Sequence, residues 1–86
     1  MSVKYREIVF TSHAEEKLSR LTGIGVTKEK VIDVVLNPDR VFPGYYGRKM
    51  AQSPLSDTLV LRVVYEEKDN KVVVVTVYPG ERERYG

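Results

Sequence analysis

A chain of 86 residues with a net charge of +2, one His and no Cys is long enough to bury one core and too short to divide into several domains. Without Cys there is no disulfide, thiolate zinc site or Cys nucleophile, and a single His leaves no nitrogen-rich metal site. The small positive excess, with a pI near 8.9, is less than a non-specific duplex binder carries, so any nucleic-acid contact must be local.

Taken in chain order, the pattern predicts an α+β unit. A short strand runs from Tyr5 to Phe10. Ser12, followed three residues later by Glu15, forms a capping box that opens a helix from about His13 to Leu21, with Ala14, Leu18 and Leu21 on one stripe. Gly23 and Gly25 stop it. Thr27 caps a second helix to about Asn37, with Val31, Ile32, Val35 and Leu36 inward and Pro38 ending it. Val41 to Tyr46 and Arg48 to Gln52 read as strand segments broken by Pro43, Gly44 and Gly47, as expected of an edge or a bulge. Pro54 to Asp57 is a loop. Two Val-rich strands follow, Thr58 to Glu66 and Val72 to Tyr78, joined through Lys68, Asp69 and Asn70.

The register of that last hairpin decides which side chains share a face. A two-residue Asp69-Asn70 loop sets Arg62 level with Val77, and a three-residue loop ending on Asn70 sets it level with Thr76. The second sorts the faces cleanly. Leu59, Leu61, Val63, Tyr65, Val73, Val75 and Val77 then lie under the helices, leaving Val60, Arg62, Val64, Val74, Thr76 and Tyr78 opposite.

The whole chain reads as a single domain, residues 1–86. Its longest apolar run, Val72 to Val75, is too short to cross a bilayer and no leader pattern is legible, which predicts a soluble, cytoplasmic protein. A charged fraction of 30 % with a single Gln fits a thermophilic source.

Four groups of residues carry candidate chemistry. Arg62 stands in an otherwise apolar strand, so it is either neutralised by an internal carboxylate such as Asp33 or Glu29, or aimed at an anion from outside. His13 is the sole His, the residue type suited to proton transfer, and heads a stripe with Lys17 and Arg20, which lines a groove or forms a solvated face with Glu16. Tyr45 and Tyr46 precede Arg48 and Lys49, an arrangement that suits base stacking beside phosphate pairing and equally suits sheet packing. In the C-terminal segment Glu81, Glu83 and Tyr85 alternate with Arg82 and Arg84, either as two sides of an extended chain or as a solvated tail.

The order of Thr11-Ser12-His13-Ala14, Leu36-Asn37-Pro38, Arg48, Leu61-Arg62-Val63-Val64-Tyr65, Val75-Thr76-Val77-Tyr78-Pro79 and Arg84-Tyr85 resembles a family of small domains grouped with the RelE/ParE and BrnT toxins, within the ribonuclease fold of barnase and the colicin nucleases. The resemblance spans nearly the whole chain. It implies two N-terminal helices packed on one face of a small antiparallel β-sheet, the other face being open and active in RNA cleavage without a metal or other cofactor. By matching position it implies His13, Arg48, Arg62, Tyr78 and Tyr85 as catalytic candidates, with Thr76 beside them. Lys17, Arg20, Tyr46, Lys49, Thr76, Arg82 and Arg84 are the candidates for RNA contact.

In that reading Arg62 and Arg48 hold the phosphate, His13 moves the proton, and Tyr78 or Tyr85 stacks on a base or donates a proton. The function implied is a metal-independent endoribonuclease toxin, acting on RNA that includes ribosome-associated mRNA and restrained by an antitoxin protein. The low net charge and the acidic Glu81 and Glu83 depart from a strongly basic toxin. The alternative is a non-catalytic RNA- or protein-binding module on the same fold, and a third reading is self-association through the edge Val41 to Gln52, which Pro43 partly blunts, so that the chain is a monomer or a homodimer.

Overall fold

The computed structural model describes residues 7–82. Strand β1 (Glu7–Phe10) leads into helix α1 (Ser12–Leu21), a 3-10 turn (Thr22–Ile24) and helix α2 (Lys28–Leu36), followed by β2 (Arg40–Pro43), β3 (Lys49–Pro54), β4 (Leu59–Lys68) and β5 (Lys71–Glu81). The strands form one sheet in the order β1-β5-β4-β3-β2. The sheet is mixed, which corrects the expectation of an antiparallel one. β1 runs parallel to β5, from which two helices and three strands separate it along the chain, whereas the remaining neighbours are antiparallel hairpins. No helix is long and apolar enough to cross a membrane among the described residues.

Both helices form where the spacing of apolar residues provides a buried stripe. In α1 the stripe is Ala14 and Leu18, with Leu21 half-buried against it. The N-cap is Thr11 and not Ser12, since the Thr11 hydroxyl accepts the Ala14 N–H at 3.0 Å. Gly25, at φ 87°, closes the following turn in the left-handed region, with its N–H bonded to the Thr22 carbonyl. Thr27 caps α2 as predicted, accepting from the Lys30 N–H at 3.1 Å. The buried stripe of α2 is Val31, Val34 and Val35; Ile32 is half-buried and Leu36 exposed. At 3.6 residues per turn Leu36 lies roughly 150° from the centre of that stripe, which is why the predicted inward position fails.

The helix stripes join Ala51 of β3, Leu61, Val63 and Tyr65 of β4, and Val72, Val74 and Val77 of β5 in one apolar cluster. Ile8 and Phe10 of β1 pack against its margin. Because successive strand residues point to opposite sides, the intervening positions Gln52, Arg62, Val64, Thr76 and Tyr78 lie on the other face.

The last hairpin has a two-residue turn, with Lys68 opposite Lys71 and both Asp69 (φ 52°) and Asn70 (φ 64°) left-handed. This is the twist-compatible conformation for a tight hairpin, and Asp and Asn tolerate it at low cost. The expected three-residue turn is therefore incorrect, and so is the pairing of Arg62 with Thr76. A β-bulge shifts the ladder from Tyr65 opposite Val74 to Val64 opposite Thr76, leaving Val75 as the extra residue and setting Arg62 opposite Tyr78. Between turn and bulge Val72 and Val74 face the core instead of Val73 and Val75. Beyond the bulge the parity reverses, and Thr76 and Tyr78 come onto the face of Arg62.

One side chain ties the bulge to the helix start. The Thr11 hydroxyl donates to the Val75 carbonyl at 3.0 Å while accepting from Ala14, and the Thr11 N–H bonds the Val74 carbonyl at 3.0 Å. A bulged residue leaves a carbonyl outside the ladder, and the cap residue satisfies it. Thr11→Val keeps the shape and removes the hydroxyl, so urea denaturation is expected to report a loss of about 1–2 kcal/mol from the cap and the second bond together. An unchanged midpoint would mean that the bulge holds without it.

Candidate nucleic-acid interface

Arg62 is central to the face opposite the helices, flanked by Gln52 on β3 and Tyr78 on β5. Its Nε donates to the Gln52 Oε1 at 2.9 Å. Neither Asp33 nor Glu29 partners it; Asp33 instead accepts from the Asn37 side chain at 3.1 Å. Among the described residues no carboxylate forms an ion pair with Arg62, and its side-chain hydrogen-bond partner there is a neutral amide. Gln52 orients the guanidinium edge without consuming its charge.

Gly80 completes the seat. A Cβ at that position would lie 2.8 Å from Nη1 and 3.0 Å from Cζ of Arg62, so the guanidinium rests where only a glycine permits it. Gly80→Ala would displace the flexible end of Arg62 rather than backbone. The expected result is a clear loss of anion affinity with less than about 1 kcal/mol lost in stability, the range of an ordinary substitution away from the core. Parallel thermal melts and binding titrations check this, and unaltered affinity would show that the seat is not needed.

Tyr78, across the strand from Arg62, donates its hydroxyl to the Met50 sulfur at 3.2 Å. A thioether is a weak acceptor, so the phenol is held in place without a strong partner. Thr76 lies on the same face opposite Val64. Four residues further along β4, roughly 13 Å from Arg62 at the usual strand rise, Glu66 accepts from the Arg48 Nε at 2.7 Å. Both side chains are about two-fifths exposed, at 38 % and 41 %. Arg48 therefore shares the face with Arg62, but its charge is already balanced.

Lys49 turns to the helix side of β3, opposite Tyr65, and pairs with Glu67. The hydrogen bond and charge of Glu67 raise the Lys49 pKa above its ordinary 10.5. The ammonium therefore stays charged across the neutral range, and any stabilisation it brings is lost only as pH rises through that raised value.

The segment between β2 and β3 departs from the expected strand. Tyr45–Gly47 is a 3-10 turn closed by Gly44 N–H to Arg48 carbonyl at 2.8 Å and Arg48 N–H to Tyr45 carbonyl at 3.1 Å. Tyr45 and Tyr46 are 87 % and 93 % exposed, so sheet packing does not account for them. Tyr46 has φ 59° and ψ 36°, a conformation that costs an L-residue about 1–2 kcal/mol. β2 is an edge strand, with Val41 exposed and Pro43 at its end.

The remaining candidates lie elsewhere. His13 and Arg20 are exposed and Lys17 half-buried on α1, which packs into the core on the side of the sheet away from Arg62. Arg20 pairs with Glu16 at 3.6 Å, and His13 makes no hydrogen bond or ion pair among the described residues. Arg82 is exposed, bonding the Thr58 carbonyl through its N–H at 2.8 Å and the Ser56 carbonyl through Nη1 at 3.3 Å. Arg84 and Tyr85 lie outside the described residues.

Sequence reasoning missed Gln52, Gly80, Met50 and Glu66. The one signal available was that Gln52 is the sole Gln of the chain; the others follow from the register alone. The site is thus a half-exposed sheet face on a small α+β unit, with a guanidinium whose partner among the described residues is neutral, a phenol beside it and an aromatic turn at the end of the neighbouring hairpin. Comparison with protein-family models, with curated proteins and with solved structures returned no match.

Proposed function

We propose that the domain is an RNA-binding protein of the RelE and BrnT kind, which reads phosphate through Arg62 on the sheet face away from its helices. The observation that carries this reading is the neutral partner of Arg62. A guanidinium held for structure alone is ordinarily balanced by a carboxylate, whereas one bonded by Gln52 at a single nitrogen keeps its charge and its outer donors for an incoming anion. Phosphate is the anion that suits the face, because Tyr78 and Thr76 add neutral hydroxyls and no further acid adjoins Arg62 in the cross-strand register.

A second reading makes the same face a metal-independent endoribonuclease, a toxin whose antitoxin covers it. It is favoured by the pairing of Tyr78 with Arg62, an acid beside a cation, which are the groups needed for a leaving oxygen and for charge growing on the phosphoryl group. His13 is the proton acceptor in this reading, and it acts only if the RNA passes the end of the sheet where α1 begins.

Incubation of total RNA with the protein in EDTA, with product ends mapped and retention on the protein measured in parallel, tests both. Products ending in 2′,3′-cyclic phosphate favour the nuclease. Retention without cleavage favours the binding module, and neither retention nor cleavage sinks both readings.

A further inference from the structure

We infer that the turn carrying Tyr45 and Tyr46 is a stacking site for unpaired nucleobases, which makes single-stranded rather than duplex RNA the substrate class of the sheet face. This rests on the RNA reading proposed above. Two adjacent tyrosines exposed at 87 % and 93 % contribute almost nothing to the core, and one of them is kept in a left-handed conformation that glycine or asparagine would adopt more readily. Their rings are 6.5 Å apart and tilted by 51°, so they do not stack on one another and each retains a free face.

The charges beside the turn point to bases and not to phosphates. Arg48 and Lys49 are balanced by Glu66 and Glu67, so the root of the hairpin offers a fixed position with little net charge. Phosphate attraction is thereby left to Arg62, and ring faces to the turn. The two are linked through Arg48, whose N–H bonds the Tyr45 carbonyl and whose side chain reaches Glu66 on the strand of Arg62. A duplex keeps its bases stacked away from such a projecting pair, whereas a single strand presents them.

A protein partner fits less well. The core of a protein interface needs a contiguous apolar patch. Here Gly44 and Gly47 flank the rings, and the other exposed large apolar residue of the hairpin, Val41, falls by register on the helix side of β2.

The chain has six Tyr and no Trp, so its intrinsic fluorescence reports on tyrosine directly. The test titrates wild type, Arg62→Ala and the double variant Tyr45→Ala/Tyr46→Asn with oligoadenylate, with the same strand paired to its complement, and with inorganic polyphosphate. Asn at position 46 preserves the left-handed backbone, and a thermal melt checks the fold. The expected results are quenching of the wild type by oligoadenylate, weaker binding of the duplex, and a loss of roughly 5- to 150-fold for oligoadenylate per ring removed, with polyphosphate affinity unchanged. Oligoadenylate bound by wild type, weakened in Arg62→Ala and untouched in the double variant overturns the stacking site alone. Equal loss for polyphosphate and oligoadenylate, or a duplex bound as tightly as the single strand, also overturns it. No binding of oligoadenylate by wild type removes the RNA reading and this inference with it.

Discussion

Arg62→Ala is expected to weaken binding of single-stranded RNA by roughly 10- to 100-fold, the equivalent of one charge-assisted contact worth about 1.5–3 kcal/mol. The slope of log affinity against log salt should fall by about 0.7 for each phosphate the side chain neutralises. The salt slope matters because a merely structural arginine would change stability and leave it alone. Removing Arg62 also leaves the Gln52 carbonyl without its donor, but that group is half-exposed and water can replace the bond.

Arg62→Lys should recover part of the slope and little of the orientation, since an ammonium lacks the planar fork that Gln52 and Gly80 position. Gln52→Glu offers the converse test. A carboxylate in the same place would balance the guanidinium and lower RNA affinity while keeping the seat intact. Full RNA affinity in both Arg62→Ala and Gln52→Glu would exclude this face as the RNA site.

Leu61→Ala is expected to cost about 2–5 kcal/mol, because a fully buried side chain at the centre of the core leaves a cavity that a small sheet cannot close. For a domain of this length the melting temperature should fall by roughly 10–30 °C. Total stabilities of small domains are of order 5–15 kcal/mol, so the variant would sit near the margin of folding. Val64→Ala, on the other face and half-exposed, should cost less than about 1 kcal/mol. The comparison tests which face of β4 is the core. Similar losses at Leu61 and Val64 would show that something also covers the second face.

Much of the architecture was legible in the chain itself. The periods of Ala14 and Leu18 and of Val31 and Val35 announce the helix faces, Thr27 and Gly25 mark their ends, and the Val-rich runs mark the two longest strands. Local signals suffice there because caps, turns and amphipathic stripes are decided by residues within a few positions of one another. The isolation of Arg62 in an apolar strand, and its place among the candidate contacts, was legible for the same reason. Where local signals competed they misled. Ser12 has the better capping-box spacing, yet Thr11 is the cap because its hydroxyl also bonds Val75 across the sheet.

The sequence alone therefore determined the α+β class, the lack of Cys chemistry in these residues and the place of an arginine in an otherwise apolar strand. Tertiary structure decided the rest, namely the parallel pairing of β1 with β5, the bulge at Val75, and the neutral partner and glycine seat of Arg62. The physical reason is the two-residue period of the strand. A single extra residue reverses every side chain beyond it, and the hydroxyl that bonds its carbonyl lies 64 residues away along the chain.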